Sequence, residues 1–102
     1  MPHRIRLRGP WEYDAPAGRY TRRFHRPTGL TAASRMWLVI NEVESRARID
    51  FNGEILGEIT APSAARFEVT PHLKPQNVIS IVVAGPSEFL GKVSLEIEEP
   101  TS

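Results

Sequence analysis

Apolar and polar residues alternate along most of this chain with a period of two. In Lys92-Val93-Ser94-Leu95-Glu96-Ile97-Glu98, the residues Val93, Leu95 and Ile97 fall on one face and the polar residues on the other. Successive side chains of an extended chain point to opposite sides, so this is a strand with one buried and one wet face. Residues 4–8 read the same way, with Ile5 and Leu7 inward between arginines. Phe67 and Val69 form the inward pair of residues 65–69, and Ile49 with Phe51 that of residues 48–51. In residues 19–26, Tyr20, Arg22 and Phe24 share one face, and Arg19, Thr21, Arg23 and His25 the other. Residues 36–40 and 78–83 are more continuously apolar, which predicts central strands covered on parts of both faces.

The breaks between these runs agree with an all-β reading. Asn52-Gly53 separates two apolar runs and is a hairpin signal, because both residues tolerate positive φ. Gly9-Pro10, Ala15-Pro16-Ala17-Gly18, Pro27-Thr28-Gly29, Ala61-Pro62-Ser63 and Gly85-Pro86-Ser87 mark further turns. No segment carries the 3.6-residue period of a long amphipathic helix. Thr70-Pro71 predicts a single helical turn within 70–74, with Thr70 as its cap and Pro71 in the first helical position. This spacing of strands and turns suits a sandwich of about eight antiparallel strands. With no repeat, linker or low-complexity tract, residues 1–102 read as a single β-sandwich domain.

Composition narrows the classes. A chain of 102 residues has room for one small core. It has no cysteine, which excludes disulfide scaffolds, thiolate nucleophiles and cysteine metal sites. No apolar run approaches the roughly 18 residues a membrane helix needs, and the first ten residues lack the apolar stretch of a leader. A cytoplasmic protein with no membrane partner is therefore expected.

The net charge of +1 hides a split. Residues 1–35 hold eight arginines against Glu12 and Asp14, whereas residues 36–102 hold five basic and ten acidic residues. The halves neutralise each other if strands from both lie side by side. The other reading is a basic face for an acidic partner or nucleic acid. Alternation argues against nucleic acid: Tyr20 and Phe24 point to the core and cannot stack on bases. Arg22, between them, is expected to be drawn inward and to need an acid such as Asp50 or Glu68.

Several local patterns fall in a familiar order. Gly9-Pro10-Trp11 opens the chain, and Tyr20-Thr21-Arg22-Arg23-Phe24 follows. Then come Asn52-Gly53-Glu54-Ile55-Leu56-Gly57 and Phe67-Glu68-Val69-Thr70-Pro71-His72-Leu73-Lys74-Pro75-Gln76-Asn77. This resembles the N-terminal, sugar-binding-type domain of the β-galactosidase and β-glucuronidase glycosidases. Its patterns are G-x-W, Y-R-R-x-F, N-G-x-x-x-G and F-x-x-D-V-T-x-x-L-x-x-G-x-N. The resemblance spans about residues 5–97 and implies a galactose-binding-domain-like jelly-roll β-sandwich. This chain departs from the pattern at Asp50, where the family often has an aromatic residue, and at Glu68, which is at best a shifted equivalent of the family's acidic residue before V-T. In those enzymes the two catalytic carboxylates belong to a separate barrel domain, so the resemblance carries no activity to this chain.

Candidate chemistry is sparse. A glycosidase needs a facing carboxylate pair. Only scattered acids offer one, such as Glu42 with Glu44 or Asp50 with Glu58. His3, His25 and His72 have no metal-ligand spacing. There is no Gly-x-Ser-x-Gly elbow, phosphate-cradling loop or Asp/Asn-rich calcium loop. No metal, cofactor or enzymatic activity is expected. Sugar binding needs an aromatic platform beside planar hydrogen-bonding side chains. Trp11, Tyr13, Trp37 and Phe89 are the platforms to weigh, with Trp11 assigned to the core and Trp37 either packed or exposed. The candidate ligand-binding set is Trp37, Arg35, Asn41, Glu42, Arg46, Glu88 and Phe89. The expected function is a non-catalytic, carbohydrate-binding accessory module. The alternative is a structural domain that dimerises or docks on a protein partner through an apolar sheet face or an edge strand.

Overall fold

A computed structural model describes residues 3–8, 11–14, 18–43, 46–60, 63–83 and 92–99. Their strands are β1 (His3–Arg6), β2 (Glu12–Asp14), β3 (Arg19–His25), β4 (Arg35–Val43), β5 (Ala47–Phe51), β6 (Glu54–Ile59), β7 (Ser63–Glu68), β8 (Gln76–Val83) and β9 (Lys92–Glu98). Two sheets form, in the orders β1-β9-β4-β7 and β2-β3-β8-β5-β6. Every pairing is antiparallel. The expected all-β jelly-roll sandwich is thus what the chain forms. None of the described residues belongs to a helix long and apolar enough to cross a membrane.

The alternating pattern builds the core directly. Met36, Leu38 and Ile40 of β4 and Val93, Leu95 and Ile97 of β9 face Ile49 and Phe51 of β5 and Ile79, Ile81 and Val83 of β8. All are buried, and Leu38, Ile40, Ile49, Phe51, Ile79 and Ile81 are fully so. The more apolar run in β4 is covered on both sides as expected: outward-facing Val39 is also buried.

Two asparagines lock the turns to this core. Asn52, at φ 51°, and Gly53, at φ 84°, form the β5–β6 turn. Asn52 Nδ2 donates to the His72 carbonyl at 2.8 Å and to Asn77 Oδ1 at 3.0 Å, and its Oδ1 accepts from Val78 N at 2.8 Å. Asn77, fully buried, also accepts from Lys74 N and donates to the Lys74 carbonyl. Buried polar groups persist only when bonded, and these two satisfy each other and the backbone around them.

The predicted helical turn is a 3₁₀ turn, Thr70–His72, with proline in its first positions. Thr70 does not cap it. Val69 occupies the cap position, and the Thr70 hydroxyl accepts from Met36 N at 2.8 Å instead. Val69 N donates to the Met36 carbonyl, so the turn is stitched to the start of β4.

The two long flanks of the sandwich differ. On one, edge strands β6 and β7 approach each other. A Cβ at Gly57 would lie 3.1 Å from Phe67 Cε1, so the missing side chain lets the sheets close. On the other, the edges are β1 and β2, joined by the segment through Leu7, Arg8 and Trp11. Trp11 packs against the core and donates Nε1–H to the Leu7 carbonyl at 3.1 Å, as its assignment to the core requires. Here the inward-facing Ile5 and Tyr13 remain 39% and 51% exposed.

Candidate functional site

The expected platform Trp37 lies on the outer face of the β1-β9-β4-β7 sheet, opposite Glu96 on one side and Glu68 on the other. The guanidinium of Arg66 stands over its ring, 3.8 Å from the centroid. Arg66 is held there by Glu98 and by Glu96, 3.8 Å away, and Arg4 binds Glu96 at 2.8 Å. Trp37 Nε1 is buried with no hydrogen-bond partner. A pyranose stacks on an aromatic face, and on this one a cation already sits. The sheet face around Trp37 is therefore a charged lattice rather than the apolar surface envisaged for docking.

The other expected residues do not gather around Trp37. Arg35 is exposed at one end of β4 and Asn41 half-buried toward the other, about 20 Å apart at ~3.3 Å per strand residue. Glu42 belongs to β4, but its side chain lies outside the described part of the molecule. Arg46 precedes β5 and pairs with Glu58 at 3.0 Å. Glu88 and Phe89 lie outside the described residues, as does Glu44. Of the acids weighed as a pair, Asp50 takes two bonds from Arg48, at 3.1 and 3.0 Å, and Glu58 is bound by Arg46.

A surface hollow of about 250 Å³ lies where β3 meets β8, lined by Arg23, Phe24, His25, Gln76, Asn77 and Val78. By alternation Arg23, His25, Gln76 and Val78 face outward there. Phe24 packs against the core, its ring 6.0 Å from that of Phe51. Apart from the His25 imidazole, the hollow has donors but no outward-facing aromatic ring.

The open flank supplies that face. The β2–β3 register sets Tyr13 opposite Tyr20, and their rings stack with centroids 4.5 Å apart and planes at 32°. Tyr20 is half-buried and fixes the pair to the core, while half of Tyr13 is open to solvent. Arg22, next on the same face of β3, corrects an expectation. It meets neither Asp50 nor Glu68. Its Nε donates to the Arg8 carbonyl at 2.9 Å and its Nη1 to the Arg23 carbonyl. Asp50 is instead engaged by Arg48, and Glu68 faces outward from the other sheet. The sequence named Tyr13 among four aromatics, but the stack and the carbonyl-bound arginine depend on a register that only strand pairing reveals.

No protein-family model and no curated protein matches this chain. Solved structures do resemble it. The FMN-binding β-glucuronidase from Facaelibacterium prausnitzii L2-6 matches 95% of this chain with a TM-score of 0.78 at 16% sequence identity. A Bifidobacterium dentium β-glucuronidase complexed with coumarin-3-O-glucuronide matches 64% of it with a TM-score of 0.58 at 30% identity. The chain spans 22% and 11% of those two chains, respectively. The likeness shows a fold shared with a small part of these glycosidases, in keeping with the resemblance read from the sequence.

Proposed function

We propose that the chain is a non-catalytic accessory module that binds a saccharide, with Tyr13 as the platform. The observation that carries this reading is the half-exposed Tyr13 ring stacked on Tyr20 at the open flank. An aromatic face takes the apolar side of a pyranose. The shared fold with part of two β-glucuronidases supports the reading. So does the use of Asp50, Glu58, Glu96 and Glu98 as ion-pair partners of arginines, which gives them structural work in place of acid–base chemistry.

Calorimetric titration with galactosides, glucuronides and plant and microbial oligosaccharides tests it. Binding that is lost in Tyr13→Ala, with an unchanged circular dichroism spectrum, supports the proposal. Silence across the panel, or binding indifferent to Tyr13→Ala, overturns it. Turnover of a chromogenic glucuronide by the purified chain would overturn the non-catalytic part.

A further inference from the structure

We infer that the free edge of β1 is a docking site for an extended acidic segment of a partner protein, which adds to the β1-β9-β4-β7 sheet as a further antiparallel strand. The inference is independent of the saccharide reading, because β1 belongs to the sheet opposite the one that carries Tyr13.

The backbone sets the geometry. Leu7 N donates to the Val93 carbonyl at 3.0 Å. Hydrogen-bonded and non-bonded pairs alternate along an antiparallel ladder. Ile5 lies opposite Leu95, and Arg4 and Arg6 lie opposite Glu96 and Ser94. Ile5 therefore bonds to β9, while the N–H and C=O groups of Arg4 and Arg6 turn away from it. β1 ends its sheet, so those groups meet no strand. All of β1 is exposed, and it carries neither the proline nor the bulge that commonly blunts an edge. The inner side is equally unfinished. Leu95 is 1% exposed, whereas Ile5 beside it is 39% exposed. A neighbouring strand would cover Ile5 with an apolar residue of its own. At the far edge of the same sheet β7 meets β6 instead, where Phe67 closes on Gly57.

Charge selects the partner. Alternation puts Arg4 and Arg6 on the outer face. Arg4 shares Glu96 with Arg66, two cations on one carboxylate. Arg6 stands opposite Ser94 and has no carboxylate partner among the described residues. Opposite charges directly across an antiparallel pair attract, and like charges repel. The complementary strand thus alternates acidic residues, opposite Arg4 and Arg6, with an apolar residue opposite Ile5. A second copy's β1 is a poor fit. Any antiparallel register that keeps both copies of Ile5 on the inner face sets arginine against arginine. Strand β2, an edge of the other sheet, turns Glu12 and Asp14 outward and offers such a segment carboxylates in place of cations.

A fluorescent peptide alternating glutamate with valine, titrated against the full chain by anisotropy, tests the inference. Saturable binding is expected. Glutamates opposite the arginines turn their N–H groups toward β1, and the valines turn theirs to solvent. N-methylation of the glutamates should therefore abolish binding, and N-methylation of the valines should preserve it. Glutamine in place of glutamate should weaken binding about fivefold, the worth of two cross-strand ion pairs. Arg6→Pro should abolish it. Proline removes an N–H that faces the free edge and is tolerated at such a place in an edge strand, so the thermal midpoint stays where it was. Arg6→Gln leaves the backbone intact and should weaken binding about twofold. No binding of the acidic peptide overturns the inference. Binding that survives methylation of the glutamates, or Arg6→Pro, overturns it as charge attraction without strand addition. A lysine–valine peptide bound as tightly as the glutamate one overturns the acidic partner. Self-association of the chain that Arg6→Pro abolishes assigns the edge to a second copy and overturns it likewise.

Discussion

Asn77 is fully buried and makes three hydrogen bonds, to Asn52 and to both backbone groups of Lys74. Replacing it by alanine leaves the Lys74 amide and carbonyl and one N–H of the Asn52 amide without these partners. Each unsatisfied buried group costs about 1–3 kcal/mol. We expect Asn77→Ala to destabilise the chain by about 2–4 kcal/mol, read as a lower urea midpoint with an unchanged slope. Asn52→Gly separates backbone from side chain. Glycine accepts the φ of 51° without strain, so a loss of stability beyond the roughly 0.4–1 kcal/mol entropic cost of glycine measures the amide bonds. A Gly variant as stable as the parent would mean that the asparagine pair is not what ties the hairpin down. The position of Asn52 in a hairpin was legible from its neighbour Gly53. The partnership with Asn77, 25 residues away, was not, because it depends on β5 lying beside β8.

Among the elements, the strands with clean alternation follow from local sequence. The inward residues of β1, β5, β7 and β9 were legible because one polar face and one apolar face leave a strand a single way to lie. The two edge elements were harder. Strand β2 is three residues long and all exposed, so it has no apolar signature. In β6 the register shifts between Ile49 and Asp50, leaving Leu56 as the extra residue, and a bulge breaks the period of two. Packing at this bulged edge gives a second prediction. A methyl group at Gly57 would press on the Phe67 ring at 3.1 Å, where β6 meets β7. Gly57→Ala should cost about 1–3 kcal/mol, as overpacking does. Gly57→Ala combined with Phe67→Leu should recover part of that loss, since the second change withdraws the ring atoms in the way. Thermal melts of the two variants check this, and a double variant less stable than the sum of its parts would contradict the clash.

For the molecule as a whole, the order of strands governs how the fold is reached. Only β2–β3 and β5–β6 join neighbours in the chain, while β1 pairs with β9 across almost its full length, His3 opposite Ile97. Closing such long loops precedes any reward from the contacts, so refolding is expected in milliseconds to seconds, not microseconds. Stopped-flow tryptophan fluorescence measures this directly, with Trp11 in the core and Trp37 beneath Arg66 as reporters. A microsecond phase carrying the full amplitude would contradict it.

The same topology explains the charge split. β1 is basic and lies against β9, which carries Glu96 and Glu98, so Arg4 finds Glu96 across the pair. Part of the N-terminal excess of arginine is neutralised in this way. The sequence by itself determined the all-β class, the inward face of most strands and the hairpin at Asn52-Gly53, because alternation and turn chemistry act over a few residues. Only the tertiary structure decided that Arg66 covers Trp37, that Tyr13 stacks on Tyr20 at an open flank, and that Arg22 meets carbonyls in place of a carboxylate. Those outcomes depend on which strands become neighbours and in what register, and that is fixed by burying the whole core at once.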